Sequence, residues 1–180
     1  MRKTESQKIA LCGVLGALSV VLLMLGNILQ VGTYAAPMLA CFLLIPVLEE
    51  YGSRYALMLY AVVSVLGVML VPDKELALFY ALVLGYYPVL RVALNKIRSA
   101  VLRWAAKFAC FNAATVAMYL FLIVVLAPPE LVAEFAQEGT AMLVLLLAMG
   151  NLCFWLCDRA LYSMTILYRL KIHPKLKKMF

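Results

Sequence analysis

The chain has 180 residues, of which 67% are hydrophobic and only 14% charged, with a formal net charge of +7. Soluble domains sit near half apolar and a quarter charged, and a chain this short buries only part of its surface on folding. The composition therefore excludes a water-soluble globular domain and sets the apolar surface against lipid, in a single domain over residues 1–180. The positive balance does not call for nucleic acid, because Lys and Arg are retained in the cytoplasmic loops that flank membrane spans.

In chain order, the first apolar run covers residues 9–29, after the lead Met1-Arg2-Lys3-Thr4-Glu5-Ser6-Gln7-Lys8. The lead resembles the start of a signal peptide, but an apolar run of about 20 residues is too long for one, and the segment reads as a retained first span. The second span, residues 34–48, is short and carries Pro37 in its first turn, where proline is tolerated. The turn Glu49-Glu50-Tyr51-Gly52-Ser53-Arg54 leads to a third span over 55–71, closed by Pro72-Asp73-Lys74-Glu75. The fourth, 76–94, is interrupted by Gly85-Tyr86-Tyr87-Pro88, which a bundle accepts when neighbouring helices satisfy the freed carbonyl. A basic connector over 95–103 precedes the fifth span, 104–126, which Pro128-Pro129 ends. The sixth runs over 140–161 and continues as helix into a basic tail. The fold class expected is all-α, a bundle of six transmembrane helices.

Loop charge sets the orientation. With six spans, fifteen of the sixteen basic residues fall on one side, and only Lys74 falls on the other, beside Asp73, Glu75, Glu130, Glu134 and Glu138. That asymmetry requires an even number of spans and both termini in the cytoplasm of a multi-pass cell-membrane protein. The five cysteines, Cys12, Cys41, Cys110, Cys153 and Cys157, all lie in apolar stretches and read as small packing residues. They form neither a disulfide framework nor a metal spacing, and neither a metal nor another cofactor is expected.

No Walker A loop, GxSxG or HExxH is present, so the chain does not read as an enzyme. The chemistry that remains is polar and aromatic residues inside the spans. Asn112, Thr115 and Tyr119 share one helical face; Asn151, Trp155, Asp158 and Tyr162 share another; Tyr80, Tyr87 and Arg91 form a third. Such residues avoid lipid and face protein or a water-filled cavity. Taken singly, each is explained better by hydrogen bonds that glue helices together, whereas three such faces on three consecutive helices favour a shared polar cavity. With Gln30 and Tyr34 at the outer end, Gln30, Tyr34, Tyr80, Asn112, Tyr119, Asn151 and Trp155 are expected to line one outward cavity. Amides and phenols with few charges suit a small neutral ligand. Asp158 is expected to pair with Arg91 or Lys107 as a structural ion pair. On the first span, Ala10, Gly13 and Ala17 make a small-residue face that suits close helix approach, either within the bundle or against a partner.

The leader Lys8-Ile9-Ala10-Leu11-Cys12-Gly13-Val14-Leu15-Gly16-Ala17-Leu18, on a chain of this length and topology, resembles the substrate-binding (S) component of energy-coupling factor (ECF) transporters. The segments Pro46-Val47-Leu48-Glu49-Glu50-Tyr51-Gly52 and 79–88 are also similar to uncharacterised membrane proteins of Gram-positive anaerobes. The ECF resemblance implies a vitamin-like micronutrient bound in an outward site, with transport driven by separate ATPase subunits. It also implies a transmembrane coupling subunit docked on Ala10, Gly13 and Ala17. The alternative is a small structural or assembly membrane protein without a small-molecule ligand; an enzyme acting on lipids ranks third.

Overall fold

The computed structural model describes residues 5–29, 34–126 and 140–172. Those residues are all-helical, with no strand among them. The helices are α1 (Glu5–Leu29), α2 (Ala35–Phe42), α3 (Leu44–Tyr51), α4 (Ser53–Leu70), α5 (Lys74–Leu78), α6 (Tyr87–Leu94), α7 (Ala100–Phe121) and α8 (Thr140–Leu167). Five helical stretches are long and apolar enough to cross a membrane: Glu5–Ile28, Ser53–Leu70, Lys74–Leu94, Ala100–Val125 and Leu145–Lys171. The expected second span is not one of them. It is two eight-residue helices, α2 and α3. Its break has a covalent cause: Pro46 has no N–H to donate to the carbonyl of Phe42, where α2 ends. Leu43 between the two keeps right-handed helical dihedrals, so the chain bends there and does not reverse.

Many outward side chains are large and apolar, as lipid contact requires: Val14 is 67% exposed, Met69 74% and Val124 75%. Inside are two cores. One joins α1, α2, α3, α4 and α5 through Val20, Ala40, Leu44, Val63 and Leu76, and includes Tyr80. The other joins α2, α6, α7 and α8 through Cys41, Tyr87, Phe111, Met118 and Phe154. The α2–α3 pair and the Lys74–Leu94 stretch belong to both, so they form the centre of the bundle. Phe154 anchors the second core, with its ring 4.4 Å from that of Phe111 and 5.0 Å from that of Tyr87.

The central stretch is also the irregular one. Between α5 and α6 lies a π-helical segment, Phe79–Leu84, and the Gly85 N–H donates to the Tyr80 carbonyl at 2.7 Å. That wider turn leaves the Ala81 carbonyl without its usual i+4 donor, and Pro88 leaves the Leu84 carbonyl without one. Both are satisfied from neighbouring helices. The Tyr60 hydroxyl of α4 donates to Ala81 O, and the Cys41 thiol of α2 donates to Leu84 O at 3.3 Å. The proline is accommodated as expected.

Contacts sort the bundle into two ends. At one, Glu5 meets Lys8 and the Tyr55 hydroxyl, Tyr168 donates to Glu50, and Arg169 binds Glu49 through two nitrogens at 2.7 and 2.9 Å. At the other, Tyr34 and Tyr119 meet Glu75. Among the described residues Lys74 is the one basic residue at that second end. Its ammonium donates to the carbonyls of Val68 and Val71 and so caps α4.

Gly85 is fixed by contact. A Cβ there would lie 2.7 Å from the Tyr60 ring and 2.8 Å from the Tyr80 carbonyl. A Cβ at Gly13 would meet nothing within 4 Å. We therefore expect Gly85→Ala to lower stability by about 1–3 kcal/mol, the scale of overpacking a filled site. Gly13→Ala should be neutral or stabilising, because it removes a flexible residue from a helix. Thermal unfolding in detergent reads both, and equal behaviour of the two variants would refute the assignment.

Candidate functional site

The polar residues inside the bundle form three groups. The first is a pair of amides. Asn112 of α7 and Asn151 of α8 exchange hydrogen bonds at 2.9 and 3.0 Å. Each also donates one turn back along its own helix, Asn112 to Phe108 O and Asn151 to Leu147 O, both at 2.8 Å. All four amide N–H donors of the pair are thereby used, which is the interhelical glue that polar residues supply in lipid. Thr115, on the same face of α7, donates to Phe111 O of its own helix.

The second group lies at the end that carries Lys74. The phenols of Tyr34, just before α2, and Tyr119, near the end of α7, both donate to the same oxygen of Glu75 at 2.9 Å. The Tyr34 ring packs edge-on against Phe79, with centroids 5.2 Å apart. No cation among the described residues pairs with Glu75, because Lys74 is turned to the α4 carbonyls. Three chain-distant segments thus bring a carboxylate and aromatic rings to one place, and Tyr34 is half exposed. Tyr80 lies apart from them, fully buried in the first core beside Tyr60, and its hydroxyl has no partner among the described residues.

The third group is charged and buried. Asp158 of α8 accepts from Tyr87 at 2.6 Å and from Arg91 Nε at 2.9 Å, both on α6, and both its oxygens accept from Lys107 of α7 at 2.9 Å. Arg91, Lys107 and Asp158 are all at least nine-tenths buried. The pairing expected with Arg91 or Lys107 is present with both. At about 3.6 residues per turn, Asp158 sits roughly two and a half turns from the end of α8, and Arg91 about one turn from the end of α6.

Of the seven residues expected to line one cavity, the structure brings Tyr34 and Tyr119 together on Glu75, and Asn112 and Asn151 together on each other. Tyr80 is in the other core. Trp155 points outward, its ring 5.6 Å from the guanidinium of Arg159. Gln30 lies outside the described residues. Glu75 was not among the seven. In the sequence it is one of several loop acids, and helical periodicity says nothing about which loop residue a distant phenol reaches. Ala10, Gly13 and Ala17 are exposed along the outward face of α1, while Gly16 faces inward, where a Cβ would lie 3.0 Å from Leu59.

Comparison of the chain with protein-family models, with curated proteins and with solved structures finds no match.

The charged group makes a definite demand on stability. Asp158→Asn removes the carboxylate that two buried cations share and should cost about 3–5 kcal/mol, as breaking a buried pair does. Arg91→Met leaves Lys107 and Asp158 as a neutral pair and should cost clearly less. Melting of the two variants side by side checks this. A loss as large for Arg91→Met as for Asp158→Asn would mean that Arg91, not Asp158, is the keystone.

Proposed function

We propose that this chain is the membrane-embedded substrate-binding subunit of an ATP-driven micronutrient uptake transporter. The observation that carries the reading is the convergence of Tyr34 and Tyr119 on one oxygen of Glu75 at the sparsely basic end of the bundle. Small-ligand sites combine aromatic lining with a few fixed polar groups, and this place has both, drawn from elements far apart in sequence. A carboxylate with no cation partner among the described residues disfavours anions and favours a ligand that presents hydrogen-bond donors. The outward small-residue face of α1, with open space over Gly13, supports a further role as the surface for a transmembrane coupling subunit.

In this reading α2 and α3 together are the sixth crossing. Their seventeen positions, 35–51, extend about 25 Å at the helical rise, and they lead from the Tyr34 end to the Glu49–Glu50 end. Six crossings put both termini and nearly all basic residues on the cytoplasmic side. Single cysteines at position 74 should then react with an impermeant thiol reagent in intact cells of a cysteine-free background, and at position 95 should not. Labelling at 95 from outside would reverse the orientation.

The second reading is a structural or assembly membrane protein. The self-satisfied Asn112–Asn151 pair favours it, since those amides are occupied with each other. Native mass spectrometry of the purified chain separates the two. The binding reading expects a co-purifying small molecule, and Glu75→Gln should reduce its retention about tenfold or more, the scale of a hydrogen bond to a charged group. Preparations that carry no small molecule, or whose ligand is indifferent to Glu75→Gln, would leave the structural reading in place.

A further inference from the structure

The buried charged group does not balance. Arg91 and Lys107 bring two positive charges to the one negative charge of Asp158, a surplus of one among the described residues. The three members are not equally committed. Lys107 spans both oxygens of Asp158 and stands 4.9 Å from the Trp104 ring centre. Arg91 uses only Nε on Asp158, and its two terminal nitrogens have no protein partner among the described residues. Its guanidinium lies 5.6 Å from the ring of Tyr162, a residue 54% exposed on the outward face of α8. The guanidinium of Arg91, itself nine-tenths buried, thus lies beside a side chain that reaches the outer surface of the bundle.

We propose that this α6–α7–α8 face binds the phosphate of an anionic lipid headgroup from the leaflet at the basic end. A cation surplus inside an apolar bundle is costly unless an anion meets it. The planar guanidinium fork matches phosphate oxygens in a way a lone ammonium does not. The aromatic residues select lipid over free phosphate as the source. Both tryptophans of the chain, Trp104 and Trp155, stand here, beside Lys107 and Arg159, with Tyr162 next to Arg91. Trp and Tyr gather at headgroup level, so the headgroup layer reaches this face. Arg159 is exposed, and Arg103 is partly exposed one turn before Lys107, adding attraction for an anionic leaflet. The site lies in the half of the bundle away from Glu75, and the inference stands or falls independently of any solute bound there.

The test is native mass spectrometry of the full chain in neutral detergent, with phosphatidylglycerol or phosphatidylcholine of matched acyl chains. Wild-type protein should retain phosphatidylglycerol and release phosphatidylcholine. Arg91→Met should lower phosphatidylglycerol retention about fivefold, the effect of one charge near an anionic surface. Arg54→Gln, at the same end but in the first turn of α4, should leave retention unchanged. Equal retention by wild type and Arg91→Met, or an equal loss with Arg54→Gln, would overturn the site. Inorganic phosphate alone, at matched ionic strength, should not raise the melting temperature, whereas phosphatidylglycerol should; protection by phosphate and not by lipid would overturn the lipid source. Should Arg91→Met fail to fold, a photoactivatable phosphatidylglycerol on wild-type protein still decides the matter. Its adducts should fall within residues 103–108 and 155–162, and adducts confined elsewhere would refute the proposal.

Discussion

Hydrocarbon offers no water to an unpaired backbone group, so any break in a helix at membrane depth must be repaired by protein. The Lys74–Leu94 stretch has such a break, and its repair organises the bundle. Two carbonyls come free, Ala81 by the π-helical turn and Leu84 by Pro88. Each is met by a side chain from a different helix, Tyr60 of α4 and Cys41 of α2. Those donors reach only if α2 and α4 pack directly on the break, which is why this stretch is the most buried of the five apolar ones. Gly85 lets the Tyr60 ring lie against the backbone at the same point. The irregular element is central because it could not be peripheral.

The break also determines where the charges meet. An i→i+5 turn takes one residue more than an α-turn, so everything after it is rotated relative to an unbroken helix. Tyr80, before the end of that turn, faces the first core; Tyr87 and Arg91, after it, face the second and Asp158. Asp158 then ties α6 and α7 to α8 through four hydrogen bonds, and the Asn112–Asn151 pair joins α7 to α8 about two turns further along. Just beyond the other end of α8, Tyr168 and Arg169 fasten it to Glu50 and Glu49 at the end of α3. One local departure from α-geometry thus propagates through charge pairing to the placement of a helix distant in sequence.

These relations explain which features could be read from the residues alone. The spans carried by α1, α4, α7 and α8 are long uninterrupted apolar runs, and hydropathy finds such runs directly. Pro88 announced an interruption, and the need for a donor to the freed carbonyl followed from it. That the donor would be Cys41 did not, since a thiol in an apolar run looks like any packing residue. The face shared by Tyr80, Tyr87 and Arg91 holds only for a regular helix, and the π-turn splits it. Asp158 was identifiable because a lone acid in an apolar span must find a cation, and Arg91 and Lys107 were at the right depth. Glu75 was hidden for the opposite reason: an acid in a polar turn has water for company and implies nothing about its neighbours.

The polar groups of the bundle differ in whether they are finished. Asn112 and Asn151 use every N–H donor they have on each other and on their own helices, which is the complete satisfaction a purely structural pair needs. The other two groups are open. Glu75 gathers two phenols with no cation among the described residues, and the Arg91–Lys107–Asp158 group retains one positive charge and the unused end of a guanidinium. Packing alone favours closing such groups, because an uncompensated charge costs stability wherever water is scarce. The open groups have opposite sign and lie toward opposite ends of the bundle, so each would attract a different class of ligand. That difference in completeness is what the proposed binding roles rest on.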